Sequence, residues 1–250
     1  MTDTLARPAA HPVAHAGRAV LRILAYPTLL FWAIVLVVAV VLTAIMAGAG
    51  MTDTSVVSYG RQAGAWFPFS MNVVVVTAYL RPHIAAGMTR RTFVRAALLV
   101  ALAVAAFNAV LMSTLLLVER LVHVWLGWGW VVQEPAALDP SGGSWPTMVL
   151  DYGILYLVAN LSGLLVGIVY YALGAARGPL AGGWWGTLLL PLTVGPVLVV
   201  LGLGALRGAE VRWLDPTVGL VTAIGLAFAV ALAVAFAAIA RRAAIPRPRT

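Results

Sequence analysis

The sequence predicts an all-α polytopic membrane protein, with six transmembrane helices preceded by an amphipathic interfacial helix. Three observations predict it. Hydrophobic residues make up 62% of the 250 and charged residues 10%, far from the roughly half and a quarter of soluble domains. Six long apolar stretches alternate with short polar ones, each close to the about 20 residues a helix needs to cross hydrocarbon. The arginines then sort by side. All sixteen basic residues are Arg and none is Lys. With the stretches folded as hairpins, Arg7, Arg18, Arg22, Arg81, Arg90, Arg91, Arg95, Arg177, Arg241, Arg242, Arg247 and Arg249 share a side with Asp3 alone, a net +11. Arg61, Arg120, Arg207 and Arg212 share the other with Asp53, Glu119, Glu134, Asp139, Asp151, Glu210 and Asp215, a net −3; together these give the chain's +8. Cytoplasmic loops retain Arg and Lys. The first side is therefore expected to be cytoplasmic, with both termini inside a multi-pass protein of the inner (plasma) membrane.

Six spans use roughly half of the chain, which predicts one membrane domain over 14–240. Residues 1–13 are polar, with Pro8 and Pro12, and are expected to be a disordered cytoplasmic N-terminus. Residues 241–250 form a cytoplasmic tail. A net charge of +8 elsewhere suggests nucleic acid. Here the arginines sit at span ends, where they hold anionic headgroups, so the bilayer and not nucleic acid is the expected partner. With no cysteine, disulfides and thiolate metal sites are excluded.

From His15 to Tyr26, Val20, Leu21, Ile23 and Leu24 make an apolar face with Arg18 and Arg22 opposite, as in a helix lying among headgroups. Pro27 is expected to separate it from span one, about 28–48. Ala47-Gly48-Ala49 resembles a signal cleavage site, but the apolar run Leu29–Met46 is longer than a signal core and starts late, so a retained helix is expected. Span two, about 65–81, opens on the interfacial aromatics Trp66, Phe67 and Phe69. Span three covers about 93–118. The longest loop, 119–149, carries Trp125, Trp128, Trp130 and Trp145, with turns at Pro135, Pro140 and Gly142-Gly143. Spans four, five and six are placed at about 150–175, 184–206 and 216–240, with Tyr152, Trp184, Trp185 and Trp213 near their ends. Runs such as Ile34–Val41 are apolar on every face, unlike the alternating strands of a membrane barrel.

Candidate functional residues fall in three groups. The basic loop between spans two and three contains Gly87, Met88, Thr89, Arg90 and Arg91. It reads either as a topological anchor with a glycine turn or as a docking element, with Thr89 capping a helix that starts at Arg90 and both arginines exposed. Within the spans, Asn72, Thr77, Asn108, Asn160 and Ser162 are the polar residues. Asn160, Gly163, Gly167 and Gly174 form a small-residue stripe with Tyr170 beside it. Gly163-x-x-x-Gly167 permits close helix approach, so Asn72, Asn108, Asn160, Gly163, Gly167 and Tyr170 are candidates for helix packing or for a substrate path. In span five, Pro191 and Pro196 around Gly195 remove backbone donors, marking either a hinge or a static kink.

Other chemistries are argued against. No span carries a charge near its middle, against a proton relay. Glu119 and His123 are spaced i, i+4, but two ligands do not make a zinc site, and a surface pair is expected. Leu161-Ser162-Gly163 lacks any base within the spans that a serine nucleophile requires. The sequon Asn160-Leu161-Ser162 lies within an apolar span. No catalytic residue and no metal site is expected.

The basic entry helix, the six-span in–in topology and Gly87-Met88-Thr89-Arg90-Arg91 together resemble the permease subunits of type-two ABC exporters. The resemblance in topology covers nearly the whole chain; the resemblance in sequence covers only these few residues. It implies a non-enzymatic transport subunit whose Gly87–Arg91 loop contacts a separate ABC ATPase, paired with a second permease subunit as a homo- or heterodimer. ATP and Mg would sit on the partner, since a phosphate-binding loop needs a lysine and the chain has none. The short Arg207–Asp215 segment departs from the reentrant helices that family members often carry between spans five and six. The other reading is a non-transport membrane scaffold or accessory protein whose basic loop serves only topology.

Overall fold

The computed structural model describes residues 12–132, 144–177, 190–208 and 218–243. Residues 1–11, part of the expected outer loop (133–143), 178–189 with the first part of expected span five, the 209–217 connection and the end of the tail (244–250) lie outside these ranges. Among the described residues the regular structure is helical, apart from an isolated β-bridge between Thr54 and Val131. The helices are α1 (Pro12–Gly48), α2 (Gly60–Ala85), α3 (Arg90–Trp125), α4 (Trp145–Arg177), α5 (Leu190–Gly208) and α6 (Val218–Arg242), with a 3-10 turn at Val57–Tyr59 before α2. Five of them, α1 to α4 and α6, are long and apolar enough to cross a membrane; the apolar part of α5, Pro191–Gly202, is shorter.

The expected break at Pro27 does not occur. α1 is a single helix of 37 residues with Pro27 inside it. Proline removes one backbone bond and crowds the preceding turn, yet the buried positions Ala16, Val20, Leu24, Thr28, Trp32 and Ala39 form one stripe that runs straight through it. Val20 and Leu24 pack with Val100 and Val104 of α3, and Trp32 donates from Nε1 to Asn108 Oδ1 at 2.8 Å. α3 thus holds both halves of α1 in line. Arg18 and Arg22 are exposed opposite this stripe, but so is Leu21 of the expected apolar face, and the segment forms the first turns of a longer helix, not a separate one. Pro12 and Val13 of the expected disordered segment already belong to α1.

α4 is the centre of the bundle. Its apolar window is 83% buried, against 11% for α1. Position 64 of α2 meets position 156 of α4, 69 meets 163, and 73 meets 167, so the two helices run in the same direction with a nearly constant offset. α6 also runs parallel to α4 where Gly225 abuts Ile154, and its last turn meets the start of α3 at Arg90 and Arg241. α1 and α3 therefore point one way and α2, α4 and α6 the other. One end of the bundle gathers Arg90, Arg91, Arg241 and Arg242. The opposite end gathers the 51–59 and 126–132 loops, Glu119 and the start of α4.

Candidate functional site

At the arginine-rich end, the turn between α2 and α3 is tightly specified. Gly87 has φ of +79°, in the left-handed region that glycine occupies without a Cβ penalty. Its amide donates to the Ile84 carbonyl at 2.9 Å, and the Met88 amide donates to His83 at 3.3 Å. Thr89 then adopts an extended backbone, φ −82° and ψ 152°, and its hydroxyl accepts from the Thr92 amide at 3.1 Å. This is the N-cap that the sequence predicts, and α3 starts at Arg90. The two arginines differ from expectation in one respect. Arg91 is exposed, but Arg90 is half-buried and donates from Nη1 to the Arg241 carbonyl at 3.2 Å. A cation at a helix C-terminus meets unpaired carbonyls and the negative end of the helix dipole. Arg90 therefore ties the turn to α6, leaving Arg91 and Arg95 as the exposed charges at the start of α3. Arg81 lies over the Tyr171 ring at 5.7 Å, joining the end of α2 to α4.

Two amide contacts hold the interior. Asn72 donates to Asn160 Oδ1 at 2.6 Å and to the Pro68 carbonyl at 2.8 Å, while Asn160 donates to the Tyr156 carbonyl at 2.7 Å. Both asparagines are buried. Directly below, the glycines of α4 admit α2. A Cβ on Gly163 would collide with the Phe69 carbonyl, and one on Gly167 would lie 2.8 Å from Val76 Cβ. Asn72, Asn160, Gly163 and Gly167 lie in α2–α4 packing, and Asn108 lies in the α1–α3 contact. Tyr170 is 46% exposed, off the packed face. Gly174 lies beyond the part of α4 whose packing is described. Two further close approaches carried no motif: Gly64, where a Cβ would sit 2.7 Å from the Tyr156 hydroxyl, and Gly225 against Ile154.

In α5, Pro191 is the second described residue. Pro196 lies inside the helix, which continues past Gly195 and Pro196 to Gly208.

The opposite end holds a polar cluster that the sequence does not announce. Glu119 and His123 are not a surface pair: they are 8% and 1% exposed. The reason is that the 51–59 and 126–132 loops fold over the end of α3. One Glu119 oxygen accepts from the Val56 and Val57 amides at 2.8 and 2.9 Å. The other accepts from the Ser55 hydroxyl and, at 3.3 Å, from Trp130 Nε1. The carboxylate thus caps the 3-10 turn that leads into α2, where free amides and the positive end of the dipole favour an anion. Ser55 in turn accepts from the Ser58 amide at 3.2 Å. Asp53 and Val131 pair through their backbones at 2.7 Å, and Arg120 covers the Trp130 ring at 5.5 Å. His123 bonds back to the Glu119 carbonyl at 2.9 Å, so the two side chains do not converge on a common point. Arg61, at the start of α2, is 3% exposed, and its Nε and Nη2 have no partner among the described residues. It is not the interfacial arginine that its loop position suggested.

Comparison of the chain with family models, with curated proteins and with solved structures found no match.

Proposed function

We propose that this chain is the membrane-spanning permease subunit of an ATP-driven ABC exporter, coupled to a separate ATPase through the Gly87–Arg91 turn. The observation that carries the reading is that turn itself: a glycine in the left-handed region, a threonine cap, one arginine pinned to α6 and the next one free. A partner bearing acidic groups meets Arg91 and Arg95 on a fixed frame. Force applied there reaches α6 through Arg90 and α4 through α2, whose glycine contacts transmit displacement without slack.

The arginine asymmetry supports a cytoplasmic location for this end. Helix direction supports a sixfold crossing, because α4 finishes at the arginine-rich end and α6 begins at the other. The chain between them has to return, and α5 supplies the apolar helix for that return. Both termini then face the cytoplasm of an inner-membrane protein. Two such subunits, identical or different, would form the path between them, with ATP and Mg held on the ATPase.

Co-purification tests the reading. Arg90→Ala combined with Arg91→Ala is expected to remove an associated ATPase, or its stimulated turnover, while insertion of the permease is unchanged. Coupling that survives the double substitution contradicts the role given to this turn and favours an accessory scaffold whose basic loop serves only topology.

A further inference from the structure

Near the Glu119 end, residues of α1 and α3 line a groove. Its lining is mostly apolar, and includes the small side chains of Ala39 and Ala44 and the larger ones of Leu36 and Leu115. Nine residues of α1, from Leu36 to Ala44, span its length, about 12 Å at the helical rise of 1.5 Å per residue. The groove lies beside the exposed face of α1, the least buried of the candidate spans.

Its lining holds four polar side chains, Thr43, Glu119, His123 and Trp128, and among the described residues no hydrogen bond joins His123 to Thr43 or Trp128. Glu119 is already occupied by four donors. His123 is different. Its Nδ1 lies 2.9 Å from the Glu119 carbonyl, and a carbonyl can only accept, so Nδ1 carries the proton. In the neutral ring, Nε2 is then an acceptor, and the ring makes no other hydrogen bond among the described residues. An acceptor in an apolar slot is costly to leave unmatched. What satisfies it is a donor attached to hydrocarbon. The direction fits as well: His123 sits near the end of α3, by Trp128, while Leu36 and Leu115 lie nearer the middle of their helices.

We propose that this groove is a binding site for a lipid-like molecule whose hydrocarbon chain lies along Ala39 and Ala44 and whose hydroxyl donates to His123 Nε2. The inference goes beyond the exporter reading and does not depend on it.

The test uses the full chain in phosphatidylcholine nanodiscs, with a long-chain alcohol carrying a diazirine in its tail and the matching alkane as control. The alcohol is expected to label 36–44 and 115–126 at least tenfold more than the alkane does. Ala44→Trp, which fills the slot, is expected to abolish that labelling. His123→Phe should bring the alcohol down to the alkane level, whereas His123→Gln, whose amide oxygen still accepts, should retain most of it. Should His123→Phe not fold, the alcohol-to-alkane ratio in the unmodified chain and the Ala44→Trp result decide the matter. Equal labelling by alcohol and alkane overturns the proposal. So does labelling of the groove no stronger than that of the exposed Val37 and Val41 face, or insensitivity to Ala44→Trp. Absence of labelling together with crosslinking between two copies through position 44 also overturns it, since a second copy then covers the groove.

Discussion

Gly163 of α4 lies directly against the Phe69 carbonyl of α2, too close for any side chain between them. The contact sits one turn from the Asn72–Asn160 hydrogen bond, so backbone proximity and amide pairing reinforce each other in one place. Around this pair the central helix takes on its other neighbours.

Gly163→Ala is expected to push the two helices apart and cost about 1–3 kcal/mol, the usual range for overpacking a close contact. Gly202→Ala is the control, because nothing lies within 4 Å of its added Cβ. Thermal unfolding in detergent should separate the two variants; equal midpoints would contradict the close α2–α4 approach.

Asn72→Leu and Asn160→Leu should be non-additive. Interhelical hydrogen bonds within membranes contribute about 0.6–2 kcal/mol, and a double-mutant cycle is expected to return a coupling in that range. Zero coupling would mean that each amide is satisfied by its own helix through Pro68 and Tyr156 alone.

Glu119→Ala should release the 51–58 loop. The carboxylate supplies acceptors to two amides, a hydroxyl and an indole, and hydrogen bonds to charged groups contribute about 1.5–3 kcal/mol each. Hydrogen exchange at Val56 and Val57 is expected to accelerate by about tenfold or more, with little change in the middle of α4. Unchanged protection would assign the loop's order to the Asp53–Val131 pairing instead.

Thr89→Ala removes the cap of α3 and should cost about 1 kcal/mol, with Thr89→Ser close to neutral. Gly87→Ala places a Cβ at φ +79°, expected to cost roughly 1–2 kcal/mol. Both changes should fray the first turn of α3 by hydrogen exchange and weaken any association made through Arg91.

The helices and the Thr89 cap were legible because they depend on local chemistry: apolar length, a threonine before a helix start, a glycine where the chain turns. The Gly163–Gly167 stripe was legible as a close approach, though not its partner. Pro27 misled because its local cost is outweighed by a stripe of α1 that continues from Ala16 to Ala39 and packs against α3, a tertiary effect. Glu119 and His123 looked like surface residues since burial there comes from loops more than fifty residues earlier and several later. Arg90 looked free because the carbonyl it meets belongs to Arg241, at the far end of the sequence. Ser55 gave no local signal, and Trp130 stood out only as one of four loop tryptophans, not as a partner of Glu119.

The most direct measurement concerns Arg91. The chain contains no native cysteine, so Arg91→Cys provides a single thiol for a short heterobifunctional photo-crosslinker and for a membrane-impermeant maleimide. The account predicts no maleimide labelling in intact cells, labelling after permeabilisation, and photo-crosslinking to a polypeptide that carries a phosphate-binding loop. Labelling of intact cells would place this turn on the outer face and contradict the account.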